Sequence, residues 1–369
     1  MAVGLPLKVT YADGDVYAAS DVNDTNGTIN AYVPTGPASG VNKIINADTR
    51  FNQRNFTSIS GVADTYGFDR FKLVSSGGAT WTPQTFTPGA APIAGYDGVN
   101  YSEIVTAGQT GTTPYTLYNT TIEDVRVLAG QSVTLSYFAK SASGTPKIAL
   151  EVIQAFGSGG SPSAAVFTYV SQTTISTSWT RYSVSFTMPS ISGKTIGTTA
   201  NTSLTAINLW ISAGTDFNAR TGSLGIQSNT FSIWGLQLQA GSTATAFQTA
   251  TGTIQGELAA CQRYYVRFAS SDAYAAYAVG TASQTNTTDF VVNLPVTMRI
   301  NPSAIDYSNI GTVDGANAIL SGGTLAIPAS TNGNDKPFVR YSKTGATQFR
   351  PYFLINNAGT GYIGFSAEL

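Results

Sequence analysis

Residues 234–265 read WGLQLQAGSTATAFQTATGTIQGELAACQRYY, and three patterns follow one another in that stretch. Trp234, Leu236 and Leu238 alternate with Gly235, Gln237 and Gln239, the period-two signature of a strand with one buried face. Small residues from Gly241 to Ala246 then supply a turn. From about 250 to 264 the apolar positions shift to helical spacing: Leu258, Cys261, Tyr265 and Phe268 share a side, and Glu257 sits near the positive start of the helix dipole. The expectation is a strand that closes a β-sandwich with Trp234, Leu236 and Leu238 inward. A short helix then carries Leu258, Cys261 and Tyr265 as a buried seam between two β-domains, with ligand-contacting loops elsewhere.

Upstream, the segments 115–122, 132–141, 147–156, 165–175, 180–188, 203–212 and 231–239 each suit a half-buried strand, and polar turns separate them. In SVTLSYFA, Val133, Leu135 and Tyr137 alternate with Thr134 and Ser136. Two such sheets face to face make a sandwich or jelly roll. Downstream, YYVRF, DFVVNLPVTM, AILSGGTLAI, FVRYSK, FRPYFLIN and YIGFSAEL return to strand and turn patterns, the last favouring a strand tied into a sheet. No fixed-period repeat is present, which disfavours a solenoid or shaft. The fold class is therefore all-β: an N-terminal segment (1–33), a linker (34–48), a central sandwich (49–249), a linking helix (250–264) and a C-terminal β-domain (265–369).

Composition narrows the chemistry. Of 369 residues 42% are hydrophobic, enough for sizeable cores, and only 11% are charged, with a net charge of −1. No Lys/Arg cluster exists, so nucleic acid is not an expected partner. No apolar run of membrane-spanning length and no signal-peptide pattern occurs, so membrane insertion is not expected and the chain is expected to be made in the cytoplasm. The chain contains no histidine, which removes Ser-His-Asp and Cys-His catalysis and His-ligated zinc. A single cysteine, Cys261, excludes an intrachain disulfide and reads as a small buried hydrophobe. Carboxylate chemistry remains, yet the five glutamates and fifteen aspartates are scattered, with only Glu123 and Asp124 adjoining. No catalytic residue, metal or cofactor is expected. Residues 21–27 have the look of a calcium loop, but Tyr32 stands where an EF-hand needs a bidentate Glu, and a capped turn is the plainer reading.

The junction also resembles one recurring in bacteriophage tail-fibre and other virion appendage proteins, where a carbohydrate-binding-like sandwich ends and a distal β-domain begins. The resemblance rests on Trp234, Gly235, Gln237, Leu238, Gly241, Ala244, Thr245 and Phe247, then on Glu257, Leu258, Cys261, Gln262, Arg263, Tyr264 and Tyr265. Gln239 stands where that pattern is usually acidic. The run Thr177-Ser178-Trp179-Thr180-Arg181-Tyr182, with the 131–140 strand and the WGLQL strand, is similar to carbohydrate-binding modules of jelly-roll type. Val9, Tyr11 and then Val16, Tyr17 flank Ala12-Asp13-Gly14-Asp15, which predicts a short hairpin with an Asp-Gly turn, and this hairpin with the Ala19-Ser20-Asp21 motif after it is similar to the N-termini of fibres that plug into a particle. The resemblance thus implies virion attachment through residues 1–33, with Val9, Tyr11, Val16, Ser20, Asp21 and Asn23 as the contact candidates.

What the resemblance implies as a whole is a non-catalytic virion protein, a fibre or receptor-binding appendage. It would be homotrimeric, joined to other virion proteins through its N-terminus, and would attach to host surface glycan. A head-decoration or tail-adaptor protein without ligand is one alternative, and a glycan-degrading tailspike with an Asp/Glu pair is another. Sugars stack on exposed aromatic rings while amides and carboxylates bond their hydroxyls. Loop-like sequence therefore nominates Trp81, Tyr96 with Asp97, Tyr101, and Asn218 with Arg220 as sugar contacts. Trp179, Trp210 and Trp234, at or in strands, are expected in the core.

Overall fold

The structure is a computed structural model that describes residues 40–328 and 333–369. The attachment segment and its candidates Val9, Tyr11, Val16, Ser20, Asp21 and Asn23 lie outside the described residues.

Ten strands form the first body: β1 (Ile59–Tyr66), β2 (Phe71–Thr85), β3 (Asn100–Thr106), β4 (Tyr115–Glu123), β5 (Ser132–Ser141), β6 (Lys147–Ala155), β7 (Val166–Thr174), β8 (Thr180–Thr187), β9 (Leu204–Ala213) and β10 (Asn229–Ala240). They lie in the order β7-β6-β9-β4-β2-β3-β10-β5-β8, with β1 also on β2. The long strand β2 belongs to both layers. Phe71–Ser75 pairs with β4 and Thr80–Thr85 pairs with β3, and Gly78, at φ +79°, lies where the ribbon folds over. The layers β4-β9-β6-β7 and β3-β10-β5-β8 then share one core. Tyr118, Leu209 and Leu150 meet in register in the first layer; Ile104, Phe231, Ile233, Ala139 and Leu135 come from the second. This is the all-β sandwich that the alternating segments predict.

Gly235 corrects the reading of the last strand. Register with β5 slips between Trp234 and Gln237, and Gly235 has φ +66°, a bulge that L-residues with a Cβ adopt at a cost. Ile233 and Leu236 therefore both face the core, while Trp234 turns to the opposite side of the sheet. There it joins Phe86 and Phe138 in a second, aromatic cluster capped by Phe247 and Tyr96. Trp234 is buried, but not where strict alternation puts it.

Residues 41–48 are part of the sandwich rather than a linker. Lys43 N donates to Leu238 O at 2.9 Å and Leu236 N to Ala47 O at 3.2 Å, so this segment takes the edge of β10 beyond the reach of β3. Asn42 bonds Leu236 O, Gln248 O and Leu238 N with one buried amide.

Two short helices follow: α1 (Asn218–Thr221) and α2 (Ile254–Gln262), the latter capped by Thr253, whose side chain accepts from Gly256 N. The buried side of α2 carries Glu257 and Cys261; Leu258 is only half-buried, contrary to the seam expected from hydrophobic spacing. Glu257 is satisfied there because Asn46 N donates to Oε1 at 2.6 Å while Thr251 donates N and Oγ1 to Oε2. Burial pushes the Cys261 thiol well up, consistent with an inert core thiol.

Ten more strands build the second body: β11 (Tyr265–Ala269), β12 (Ala276–Gln284), β13 (Thr287–Val291), β14 (Ala304–Ser308), β15 (Ile310–Asp314), β16 (Ile319–Ser321), β17 (Thr324–Ala326), β18 (Phe338–Ser342), β19 (Pro351–Asn356) and β20 (Tyr362–Ser366). The last of these is the middle strand of β11-β20-β14, and the others form β16-β15-β19-β12-β13-β18-β17 around a separate core. Of the expected seam residues Cys261 and Tyr265 are buried and Leu258 is not, and buried ions packed on tyrosine rings join the two bodies beside them. Arg70, almost fully buried, pairs with Glu368, donates to Thr121 O and Oγ1, and lies 3.5 Å over the Tyr264 ring. Arg54 bonds Glu368 at 3.1 Å and lies 3.7 Å over Tyr265. Among the described residues no helix is long and apolar enough to cross a membrane.

Candidate functional site

The solvent side of the first layer carries a polar and aromatic row that strand register lines up: Asn119, Asn208, Glu151 and Tyr169, one from each of β4, β9, β6 and β7. A 3-10 turn (Thr215–Phe217) and α1 lie over the row, held by Phe217 against Trp210 and Tyr115 and by Gln172 Nε2 donating to Thr221 O and Gly222 O. Gly222, at φ +63°, ends α1 so close to Tyr169 that a Cβ there would fall 2.4 Å from the ring.

This lid delivers Arg220 onto Glu151. The carboxylate is completely buried and accepts from Arg220 Nε (2.5 Å) and Nη2 (2.8 Å), Asn208 Nδ2 (2.9 Å) and Trp210 Nε1 (3.0 Å). Asn119 Nδ2 donates in turn to Asn208 Oδ1 at 2.7 Å. A buried charge needs such pairing, and a bidentate Arg fork is the geometry that supplies it. The guanidinium plane lies 4.5 Å from the Phe167 ring centroid and 4.9 Å from Trp210, so it is fixed on three sides. Beside it Phe167 and Tyr169 are 52% and 39% exposed on edge strand β7. Two rings two residues apart, a flat cation and the exposed Asn218 make a stacking platform with hydrogen-bonding groups at its rim. Glu151 has both oxygens occupied, so this geometry suits binding rather than acid–base work.

The sequence-nominated residues go to four different places. Asn218 and Arg220 belong to the face just described. Trp81 is a correction: it is fully buried in the sandwich core against Phe56, Phe68 and Tyr118, and no sugar can reach it. Its GGATWTPQTF setting reads as loop, but β2 runs straight through it. Tyr101 lies on the outer side of the second layer, edge-on to Trp179 at 5.3 Å with Lys140 above that indole. Trp179 is half-buried, a second correction, whereas Trp210 and Trp234 are buried as expected. Tyr96 and Asp97 line a cavity of about 460 Å³ beside the Trp234–Tyr265 junction, where ligand-contacting groups were not expected. Phe167 and Tyr169 are the residues that sequence reading passes over; aromatics at i and i+2 of a strand fit a core face equally well until the strand proves to be an edge.

No family model matches the sequence, and no curated protein does either. Among solved structures, the chain is similar to a family 11 carbohydrate-binding module from Clostridium thermocellum, solved with a β-1,3-1,4-mixed-linked tetrasaccharide. That likeness has 14% identity, covers 51% of this chain and 98% of that one, and has a TM-score of 0.28. A xylan-binding domain from Paenibacillus barcinonensis matches at 14% identity over 51% of this chain and 94% of its own, with a TM-score of 0.26. The enzymatically active domain of tailspike protein 4 from bacteriophage CBA120 matches at 11% identity over 54% of this chain, with a TM-score of 0.30, and the match spans only 21% of the tailspike chain.

Proposed function

We propose that the chain is a non-catalytic, glycan-binding virion protein of a bacteriophage, a fibre or receptor-binding appendage, and that the Phe167–Tyr169–Arg220 face of the sandwich contacts the sugar. The observation that carries the binding role is that two exposed rings flank a guanidinium held rigid by a buried carboxylate. A pyranose presents an apolar face to such rings, and a platform whose cation is already fixed loses little entropy on binding. The virion setting is supported by the junction residues Trp234 to Tyr265 and remains tied to that resemblance. An exposed apolar stripe on the second body supports self-association, and the number three rests on the resemblance to fibres. Ile319, Val313, Phe353, Val279, Val291 and Phe338 fall on neighbouring strands in one register row of the seven-stranded sheet, and four of them are more than 40% exposed.

The binding role is tested by passing purified protein over immobilised host surface polysaccharide and measuring the chain length of the eluted glycan. Retention with unchanged chain length is expected, with loss of retention in Phe167→Ala/Tyr169→Ala. Shortened chains would favour the tailspike reading, and no retention the ligand-free decoration reading. Val279→Lys/Phe353→Lys is expected to convert a trimer to monomers by light scattering.

A further inference from the structure

The ion pair beneath the candidate face leaves one edge of its arginine unused. A guanidinium carries five N–H groups. Glu151 takes the side edge of Arg220, through Nε at 2.5 Å and Nη2 at 2.8 Å. The end edge, formed by Nη1 and the second proton of Nη2, has no partner among the described residues, and Nη1 reaches solvent. The Arg220 side chain is 32% exposed above a carboxylate that is not exposed at all, so solvent meets the fork at this end.

Charge and shape at this edge select the same occupant. Glu151 cancels the charge of Arg220 only as seen from a distance. The two edges of the fork point about 120° apart, so a carboxylate on the end edge would lie roughly 4 Å from the guanidinium carbon and roughly 7 Å from the carboxyl carbon of Glu151. Attraction then exceeds repulsion, and the pair acts as a dipole with its positive end outward. The lid's own carboxylate, Asp216, stands at the other end of the lid, where its amide donates to Thr112 O just before β4. The fork is also held still, with the Phe167 and Trp210 rings 4.5 and 4.9 Å from the guanidinium carbon. A planar carboxylate accepts two parallel N–H bonds from such an edge, whereas a sugar hydroxyl uses one. Register places Tyr169 opposite Glu151 and Phe167 opposite Ile153, so both exposed rings share the fork's side of the sheet.

We propose that the sugar bound at this face is acidic, a uronic acid or another carboxylate-bearing pyranose, with its carboxylate on the end edge of Arg220 and its ring against the exposed parts of Phe167 and Tyr169. The proposal rests on the reading of this face as glycan-binding and adds the charge of the ligand. A carboxyl group at the rim of a pyranose leaves the apolar face of the ring free to meet an aromatic surface, so one sugar unit makes both contacts.

The test compares immobilised host surface polysaccharide, as isolated, with the same polysaccharide after its carboxyl groups have been reduced to primary alcohols. The full-length protein is expected to bind the reduced form about tenfold more weakly, the worth of a charge-assisted hydrogen bond. Binding to the native form should also weaken with added salt, and binding to the reduced form should not. Arg220→Lys keeps a charge for Glu151 but has no second edge, so it should bind the two forms alike, and a melting curve verifies that it is folded. Equal binding of the two forms by the parent protein, or retention on a host polysaccharide that contains no carboxylate, would overturn the acidic ligand while leaving the face a glycan site. No retention on either form, or retention that Phe167→Ala/Tyr169→Ala does not reduce, would instead overturn the reading of the face and this proposal with it.

Discussion

Removing the guanidinium from the candidate face by Arg220→Ala exposes how the site is held. Two of the four hydrogen bonds to Glu151 disappear, and a completely buried carboxylate is left with only Asn208 and Trp210 as donors. Breaking a buried pair from one side costs about 3–5 kcal/mol. The Arg220 side chain is about a third exposed, so solvent screens part of that, and about 2–3 kcal/mol is the better expectation. Lost stacking on Phe167 and Trp210 adds about 0.5–1 kcal/mol. Urea unfolding followed by tryptophan fluorescence should therefore show a loss of roughly 3 kcal/mol from the sandwich transition. In the Glu151→Gln background the same substitution should cost only about 1 kcal/mol, because the uncompensated charge is gone. Additive effects across this cycle, or an Arg220→Ala variant within about 0.5 kcal/mol of the parent, would refute the coupling.

Other consequences follow from the junction. Burial pushes the Asp69 carboxyl up to about 6 from 3.8, against the pull of Arg54 and the Gln53 hydrogen bonds. A folded value above the unfolded one means full stability below about pH 4 and a loss as pH rises through about 6, worth roughly 3 kcal/mol for two units. Asp69→Asn should lack that loss, so its stability relative to the parent should rise by that order between pH 4 and pH 7.5; a pH-independent difference would contradict the assignment. Gly235→Ala places a Cβ at φ +66° and 3.1 Å from the Phe138 ring, and should destabilise the sandwich by about 1–2 kcal/mol in thermal melts, whereas Gly241→Ala, with open space around it, should carry only the backbone cost.

The strands were legible as short alternating runs between turn signals, but the half-buried reading is corrected in β5 and β6, which are buried on both faces, Thr134 and Ser136 included. SVTLSYFAKS and KIALEVIQAF became β5 and β6 almost residue for residue. Strands β1 to β3 were not, since Gly77, Gly78, Pro83 and many threonines carry turn signals while the ladder to β4 and then β3 holds β2 extended. A bulge is invisible to a pattern of period two: Gly235 looks like any glycine, yet it reverses the side on which Trp234 lies. Hydrophobic spacing chose Leu258 for the buried side of α2, where the structure buries Glu257. That inversion depends on two hydrogen bonds from nearby Thr251 and on one from Asn46, 211 residues away, which no local window contains. At the candidate face, Arg220 was legible as a charged residue in a loop. Its partner Glu151 was not, because it sits in the middle of an apolar strand and is satisfied only by tertiary neighbours.

The four tryptophan indoles offer the most direct test that the sugar meets the first layer. Trp210 Nε1 is hydrogen-bonded to Glu151 directly beneath Arg220, Trp179 and the buried Trp234 belong to the aromatic cluster on the outer side of the opposite layer, and Trp81 is buried in the core between the layers. In a nitrogen–proton correlation spectrum titrated with host oligosaccharide, the Trp210 indole signal should move in proportion to saturation while those of Trp81 and Trp179 stay in place. Movement of Trp179 with Trp210 unchanged would put the glycan on the other side of the sandwich and contradict the account.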